Sequence, residues 1–217
     1  MEKLFNRFKL VGEVLGTDGL VAIVRTVGFG ARGARFEDEH TVVCPNQALV
    51  DEIGKHKYAT IIGKLANSDN SDTYMLAGMV AKAKKADPNV NLARIIGLTH
   101  TYEFFPPSEG KKQFGSLTIN VNGTFITATA FRGTASYLKA KAEFGTTVEV
   151  IGRSRLTEFG DNAGNIRQSV DIVADGTRTK VIAASTQTDH FAEMGNVAMA
   201  FEDESATDEE TDKPAAF

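Results

Sequence analysis

Alternation of apolar and polar residues, the mark of a strand with one buried face, recurs along most of this 217-residue chain. It is clearest in SLTINVNGTFITATAF, residues 116–131, where Leu117, Ile119 and Val121 share a face that Ile126, Ala128 and Ala130 continue beyond Asn122-Gly123. That dipeptide suits a two-residue hairpin, because both turn positions need positive φ. The opposite face then shows Thr118, Asn120, Phe125, Thr127, Thr129 and Phe131, a polar surface carrying two aromatics. The next stretch, FRGTASYLKAKAEFG, predicts a helix of two to three turns with Tyr137 and Leu138 inward, and TTVEVIGRSRL returns to strand.

The same order of features occurs twice, at an offset of about 85 to 89 residues. RFKLVGEV, HTVVCPNQALVDEIGKHKYATIIGKL and DTYMLAGMVAKAKK match LARIIGLT, FITATAFRGTASYLKAKAEFGTTVEVIGRSRL and IRQSVDIVADGTRTK in pattern rather than identity. Each half opens on a strand with a central glycine (Gly12, Gly97). A hairpin, a short helix, a strand with another glycine (Gly63, Gly152) and a closing strand follow. Five strands with a helix after the third make a small Greek-key barrel of the OB type. The expected fold is mainly β: two tandem five-stranded OB-type barrels, each with a short helix, and a disordered acidic tail. The expected bounds are 1–86 for the first barrel, 87–91 for a linker, 92–185 for the second barrel and 186–217 for linker and tail.

Charge sharpens the tail. The net charge is −4, but residues 202–217, EDESATDEETDKPAAF, alone carry −6, which leaves the rest at +2. A like-charged, weakly hydrophobic run does not pack. Its apolar end, PAAF, suits a docking peptide, with Asp208, Glu209, Glu210, Asp212 and Phe217 as the docking residues. No signal-like start and no run long enough to cross a bilayer is present, so a cytoplasmic protein without membrane contact is expected. The lone Cys44 reads as a packed strand residue.

TVGFGARGARFEDEHTV, residues 26–42, contains G-x-G-x-x-G at Gly28, Gly30 and Gly33. A dinucleotide site needs that turn to open a helix, and both flanks here read as strands. Enzyme readings fare no better: the four histidines are dispersed, and there is no HExxH, zinc-spaced Cys/His set, G-x-S-x-G or P-loop. No catalytic residue, metal or cofactor is expected.

In the second half, NLARIIGLT (91–99), ATAFRGTASYLKAKAEFGTTVEVIGRSRLTEF (128–159) and SVDIVAD (169–175) resemble the bacterial and phage single-stranded DNA-binding protein family, in the right order across about 89–185. The resemblance implies that Phe131 stacks a base at the end of the third strand, that Phe159 does so on the loop between strands four and five, and that Arg132, Arg153 and Arg155 line the strand. It extends to the plan of acidic tail plus terminal Phe, which in the family docks replication and repair enzymes. The chain departs in placing Lys213 and two alanines before its end and in having no Trp.

The residues support that likeness independently, since a sequence-independent grip on a single strand needs cations for phosphates and exposed π faces for bases. Lys139, Lys141, Arg132, Arg153, Arg155 and Arg167 supply charge around the second hairpin, and Phe125, Phe131 and Phe159 supply aromatics. Arg25, Phe29, Arg32, Arg35 and Phe36 make the glycine-rich connection of the first half a second gripping finger. Phe125 has an alternative reading, packed under the 105–114 loop, while Phe104 and Phe105 read as barrel-edge cover or an oligomer contact. Single-stranded DNA is the expected partner, in replication, recombination and repair, with a homodimer as one arrangement. RNA binding or strand annealing on the same surface, and a replisome adaptor working through the tail, are the rival functions.

Overall fold

Two successive runs of five strands each close into a ring in the computed structural model, which describes residues 3–29, 35–108, 112–160 and 166–183. These residues belong to one compact unit, Met1–Ala184. The first run is β1 (Phe5–Asp18), β2 (Val21–Phe29), β3 (Arg35–Val43), the helix α1 (Gln47–Gly54), β4 (Tyr58–Asn67) and β5 (Thr73–Lys82). The second is β6 (Val90–Phe105), β7 (Phe114–Val121), β8 (Thr124–Phe131), the helix α2 (Arg132–Lys141), β9 (Thr147–Gly160) and β10 (Ile166–Ala174). In the first, β1–β2–β3 is an antiparallel meander, β3 pairs in parallel with β5, β5 with β4, and β4 returns to β1. The second repeats the circuit through β6–β7–β8, a parallel β8–β10 pair, β9, and back to β6. A short further strand, β11 (Lys180–Ala183), lies on β9; four residues were too few for alternation to announce it. β6 starts at Val90, inside the stretch expected to be a linker.

Sequence explains the repeated plan at its tightest points. A Cβ on Gly12 would strike the Arg25 carbonyl and one on Gly63 the Leu76 carbonyl, and Gly97 and Gly152 stand in the same relation to Asn120 and Val173. Each is a place where two strand backbones pass too closely for any side chain. Asn122 and Gly123 both take positive φ (52° and 86°), giving the expected two-residue turn. A side-chain clamp is repeated too. Asn6 bridges the backbone of Leu65 through both its amide atoms, and Asn91 does the same for Ser154.

The two rings meet through an antiparallel β1–β6 ladder centred on Phe8 opposite Ala93, running from Phe5–Ile96 to Val11–Val90. Phe8 and Ala93 are themselves counterparts in the repeat, at the spacing that separates Gly12 from Gly97, so the ladder has an approximate two-fold axis.

The core is the inward face of this plan. Phe8, Leu10, Val24, Val42, Ile61, Leu65 and Met75 fill the first ring, and Ile95, Leu117, Ile119, Ile126, Val148, Val150 and Ile172 the second. Each helix inserts a short apolar stripe, Val50 and Ile53 from α1 and Ala135 and Leu138 from α2. Burying a side chain such as Leu138 contributes about 2 kcal/mol. Tyr137, expected inward, is exposed. Only residues three or four apart share a helix face, so the inward stripe takes Ala135 and Leu138, and the Tyr137 hydroxyl instead accepts a hydrogen bond from the Val181 amide on β11. Cys44 is buried, and burial pushes its thiol up. β2 and β3 flank the glycine-rich stretch as antiparallel strands, so it has no helix to open toward a pyrophosphate.

Candidate nucleic-acid interface

Alternation and register assemble an outer face on β6, β7 and β8. Leu117 faces Ala128 and Ile119 faces Ile126 on the buried side, which sends Phe114, Ser116, Thr118 and Asn120 outward opposite Phe131, Thr129, Thr127 and Phe125. At one end Phe105 pairs with Phe114 and Phe114 with Phe131. The three rings form a row: Phe105 stacks on Phe114 at 4.4 Å with 11° between planes, and Phe114 lies 6.4 Å from Phe131. Such a row continues naturally onto unpaired bases, each stack contributing about 1–3 kcal/mol.

Phe125 stands at the other end of β8, about 20 Å away by strand rise. It meets His100 edge to face at 4.9 Å, and His100 lies 6.1 Å from Phe144. The first ring pins this platform: Asn67 accepts from the Phe125 amide at 2.7 Å and donates to its carbonyl at 2.8 Å, while the Thr73 hydroxyl donates to the same carbonyl. Phe125 is 38% exposed with its edge contact to His100, and Phe131 and Phe159 are 42% and 40% exposed; residues 109–111 of the loop in the alternative reading of Phe125 lie outside the described residues.

The expected cations divide into two sets. Arg132 opens α2 directly after β8, Lys139 and Lys141 lie at the far end of the same helix, and no ion pair engages any of the three among the described residues. The Lys139 ammonium lies 4.4 Å from the centroid of Phe104, and both lysines sit in the last turn of α2, where the helix dipole favours positive charge. Arg153, Arg155 and Arg167 are committed within the protein. Arg153 makes two hydrogen bonds to Asp38 of the first ring, at 2.7 and 3.0 Å, with its guanidinium 4.6 Å from the Phe36 centroid. Arg167 bonds Asp72 and the Asn70 carbonyl and lies 5.6 Å from the Phe159 centroid. Arg155 lies 3.7 Å from Asp171, whose carboxyl is pushed up by burial.

The first ring's corresponding face is self-neutralised. Arg25 donates to Glu39 at 3.0 Å and lies 3.7 Å from Glu37, which also takes Arg35; the bond to Glu39 raises the Arg25 pKa. Phe36 lies against Gly28 beneath Arg153. Phe29, 72% exposed, ends β2 opposite Arg35. Inside this ring His40 is 2% exposed, with Nε2 2.9 Å from the Thr26 hydroxyl, and burial pushes its pKa down to about 4.

Arg32, Gly30, Gly33 and the tail residues Asp208, Glu209, Glu210, Asp212 and Phe217 lie outside the described residues. Phe105 and Phe114 were not read from sequence as members of an aromatic row. The signal was present in the outward alternation Thr101, Glu103, Phe105, but the doublet Phe104-Phe105 before two prolines masked its phase. Among the described residues no cluster of three or more His, Cys, Asp or Glu has a metal-holding arrangement, and no helix is long and apolar enough to cross a membrane.

Two solved structures share this fold. The wild-type single-stranded DNA binding protein from Thermus aquaticus aligns with a TM-score of 0.64 at 15% identity, covering 85% of this chain and 96% of that one. A deletion mutant of the same protein aligns at 0.62 and 16% identity, covering 87% and 100%. No protein-family model and no curated protein sequence matches the chain.

Proposed function

We propose that this chain binds single-stranded DNA without sequence preference, along the outer face of β6, β7 and β8. The observation that carries the reading is the exposed row Phe105–Phe114–Phe131 on a water-facing sheet surface, with Arg132 next in the chain after Phe131 and without an ion pair among the described residues. The shared fold with a protein named for this activity supports it, as does the resemblance in residues 128–159. On this reading the rings are tandem OB-type barrels, the first closing with β5 at Lys82 and the second opening with β6 at Val90, and residues 186–217 form the linker and acidic tail. The protein acts by binding and not by catalysis, in the cytoplasm, in replication, recombination and repair. The tail docks partner enzymes, and the two barrels of one chain act as a monomer or pair into a dimer with four.

Fluorescence polarisation of labelled oligo-dT tests the central point. Binding is expected to be tight and to weaken with salt at a log-log slope of about 0.7 per phosphate neutralised, with duplex of the same length bound far more weakly. Equal affinity for duplex contradicts the proposal, and clear preference for oligo-U over oligo-dT at fixed salt transfers the site to RNA.

A further inference from the structure

β8 starts directly after the Asn122-Gly123 turn, and its outer edge there extends past its partner strand. Val121 and Thr124 close the hairpin as its hydrogen-bonded pair, so the next pair, Asn120 and Phe125, turns the Phe125 N–H and C=O away from β7. The strand on that side, β10, pairs with β8 at Ala128 and Thr129. A side chain of the first ring meets the two Phe125 groups instead: Asn67, the last residue of β4, accepts from the amide at 2.7 Å and donates to the carbonyl at 2.8 Å. One asparagine amide does there what an adjoining strand would do.

This third clamp departs from the repeat. Asn6 on Leu65 and Asn91 on Ser154 are counterparts, each acting within its own ring. Asn67 reaches from the first ring to the second. Its own counterpart, at the spacing that separates Gly63 from Gly152, is Leu156, which has no amide to offer. Phe125 corresponds to Glu39, because the parallel pairs Val43–Leu76 and Thr129–Val173 align β3 with β8. Clamp and aromatic ring therefore occur together on one side of the two-fold, and the other side has neither. Asn67 is itself held. Its Nδ2 also donates to the Thr73 hydroxyl at 3.2 Å, and the amide of the buried Thr73 donates to the Ser169 hydroxyl of β10 at 3.1 Å. Arg167, also of β10, bonds Asp72 and the Asn70 carbonyl, so the turn between β4 and β5 is fixed to β10 while it fixes β8.

We propose that Asn67 is a positioning residue for base stacking: it fixes the backbone that carries Phe125 and so holds that ring ready for an unpaired base. The inference rests on the reading given under Proposed function. Ordering the backbone of one residue costs about 1–2 kcal/mol. Where the fold has already ordered it, the stack keeps its full contribution when the strand arrives. The first ring then strengthens binding through Phe125, without itself contacting the strand.

The test is a double-mutant cycle of Asn67→Ala and Phe125→Ala in the full chain, read by oligo-dT polarisation and by Tm. Phe125→Ala keeps the backbone groups that Asn67 bonds, so Asn67→Ala should lower Tm equally in both backgrounds. Its effect on affinity should appear only where the ring is present. Phe125→Ala is expected to weaken oligo-dT binding about tenfold and Asn67→Ala about fivefold, with the double variant no weaker than Phe125→Ala alone. An abasic strand of the same length should be bound alike by Asn67→Ala and wild type. Asn67→Asp, which keeps the acceptor for the Phe125 amide and loses the donor to its carbonyl, should fall between, and guards against misfolding of the alanine variant. Unchanged affinity on Asn67→Ala overturns the inference. A loss that persists in full beside Phe125→Ala, or that extends equally to the abasic strand, also overturns it by making Asn67 a general support of the fold. Wild-type affinity in Phe125→Ala overturns it as well, but leaves the row Phe105–Phe114–Phe131 and the proposed function in place. Failure of the wild type to bind oligo-dT is a different result and removes the underlying reading.

Discussion

Matched positions in the two rings carry different chemistry. The parallel pairs Val43–Leu76 and Thr129–Val173 align β3 with β8, so Glu39 stands where the second ring has Phe125. Arg25, the partner of Glu39, stands where it has Asn120, and the buried His40 stands where it has Ile126. One plan of strands therefore supports an ion-paired face over a partly polar core and an aromatic face over an apolar one. Strand pairing and glycine clearance fix the ring, while the outward half of each alternation is free to diverge. Under the proposed function this division gives nucleic-acid contact chiefly to the second ring, while the first holds Phe125 and Arg153 in place.

The strongest way to break this asymmetry is to remove aromatics from each ring in turn. Phe105→Ala with Phe131→Ala should weaken oligo-dT binding about a hundredfold, two stacks being lost, whereas Phe29→Ala should change it less than about threefold. Polarisation titrations at fixed salt decide it, and comparable losses would show that both faces bind.

The cores can be separated by pH. Burial holds His40 neutral, with its pKa pushed down to about 4 from the ordinary 6.5. As pH falls below about 6.5 the unfolded chain takes up this proton before the folded one does. Stability that is complete above that pH is then lost progressively down to about pH 4, by about 3 kcal/mol in all. Urea unfolding of wild type against His40→Gln, which keeps a partner for Thr26, should show the steeper decline in wild type; parallel curves would refute it. Next in size is the link between the rings. Asp38→Ala strips Arg153 of both its carboxylate bonds and should lower stability by about 2 kcal/mol, read as a drop in Tm.

The smallest effect sharpens the surface comparison. Glu37→Gln with Glu39→Gln releases Arg25 and Arg35, and should raise oligo-dT affinity about threefold at low salt and not at all at high salt. An unchanged low-salt affinity would mean that ion pairing is not what silences the first ring.

Much of the fold was legible because it rests on period and turn chemistry: the faces of β7 and β8, the Asn122-Gly123 hairpin, the helix after each third strand and the four matched glycines. What was not legible depends on pairing between distant segments. Nothing local to Arg153 or Arg167 reveals that Asp38 and Asp72 will meet them, so basic residues near a hairpin read alike whether they are committed or free. Phe105 and Phe114 come together only through the β6–β7 register, and two adjacent bulky residues, Tyr137 and Leu138, mark the phase of a short helix too weakly to show which of them turns inward. The exposed position of Phe131 was legible from its outward alternation.

Photo-crosslinking of oligo-dT to the full chain, with the attached peptides mapped by mass spectrometry, tests the central claim most directly. The account predicts crosslinks at Phe105, Phe114 and Phe131 and few at Phe29 or Phe36. Crosslinks concentrated on the first ring, with those three phenylalanines untouched, would contradict it.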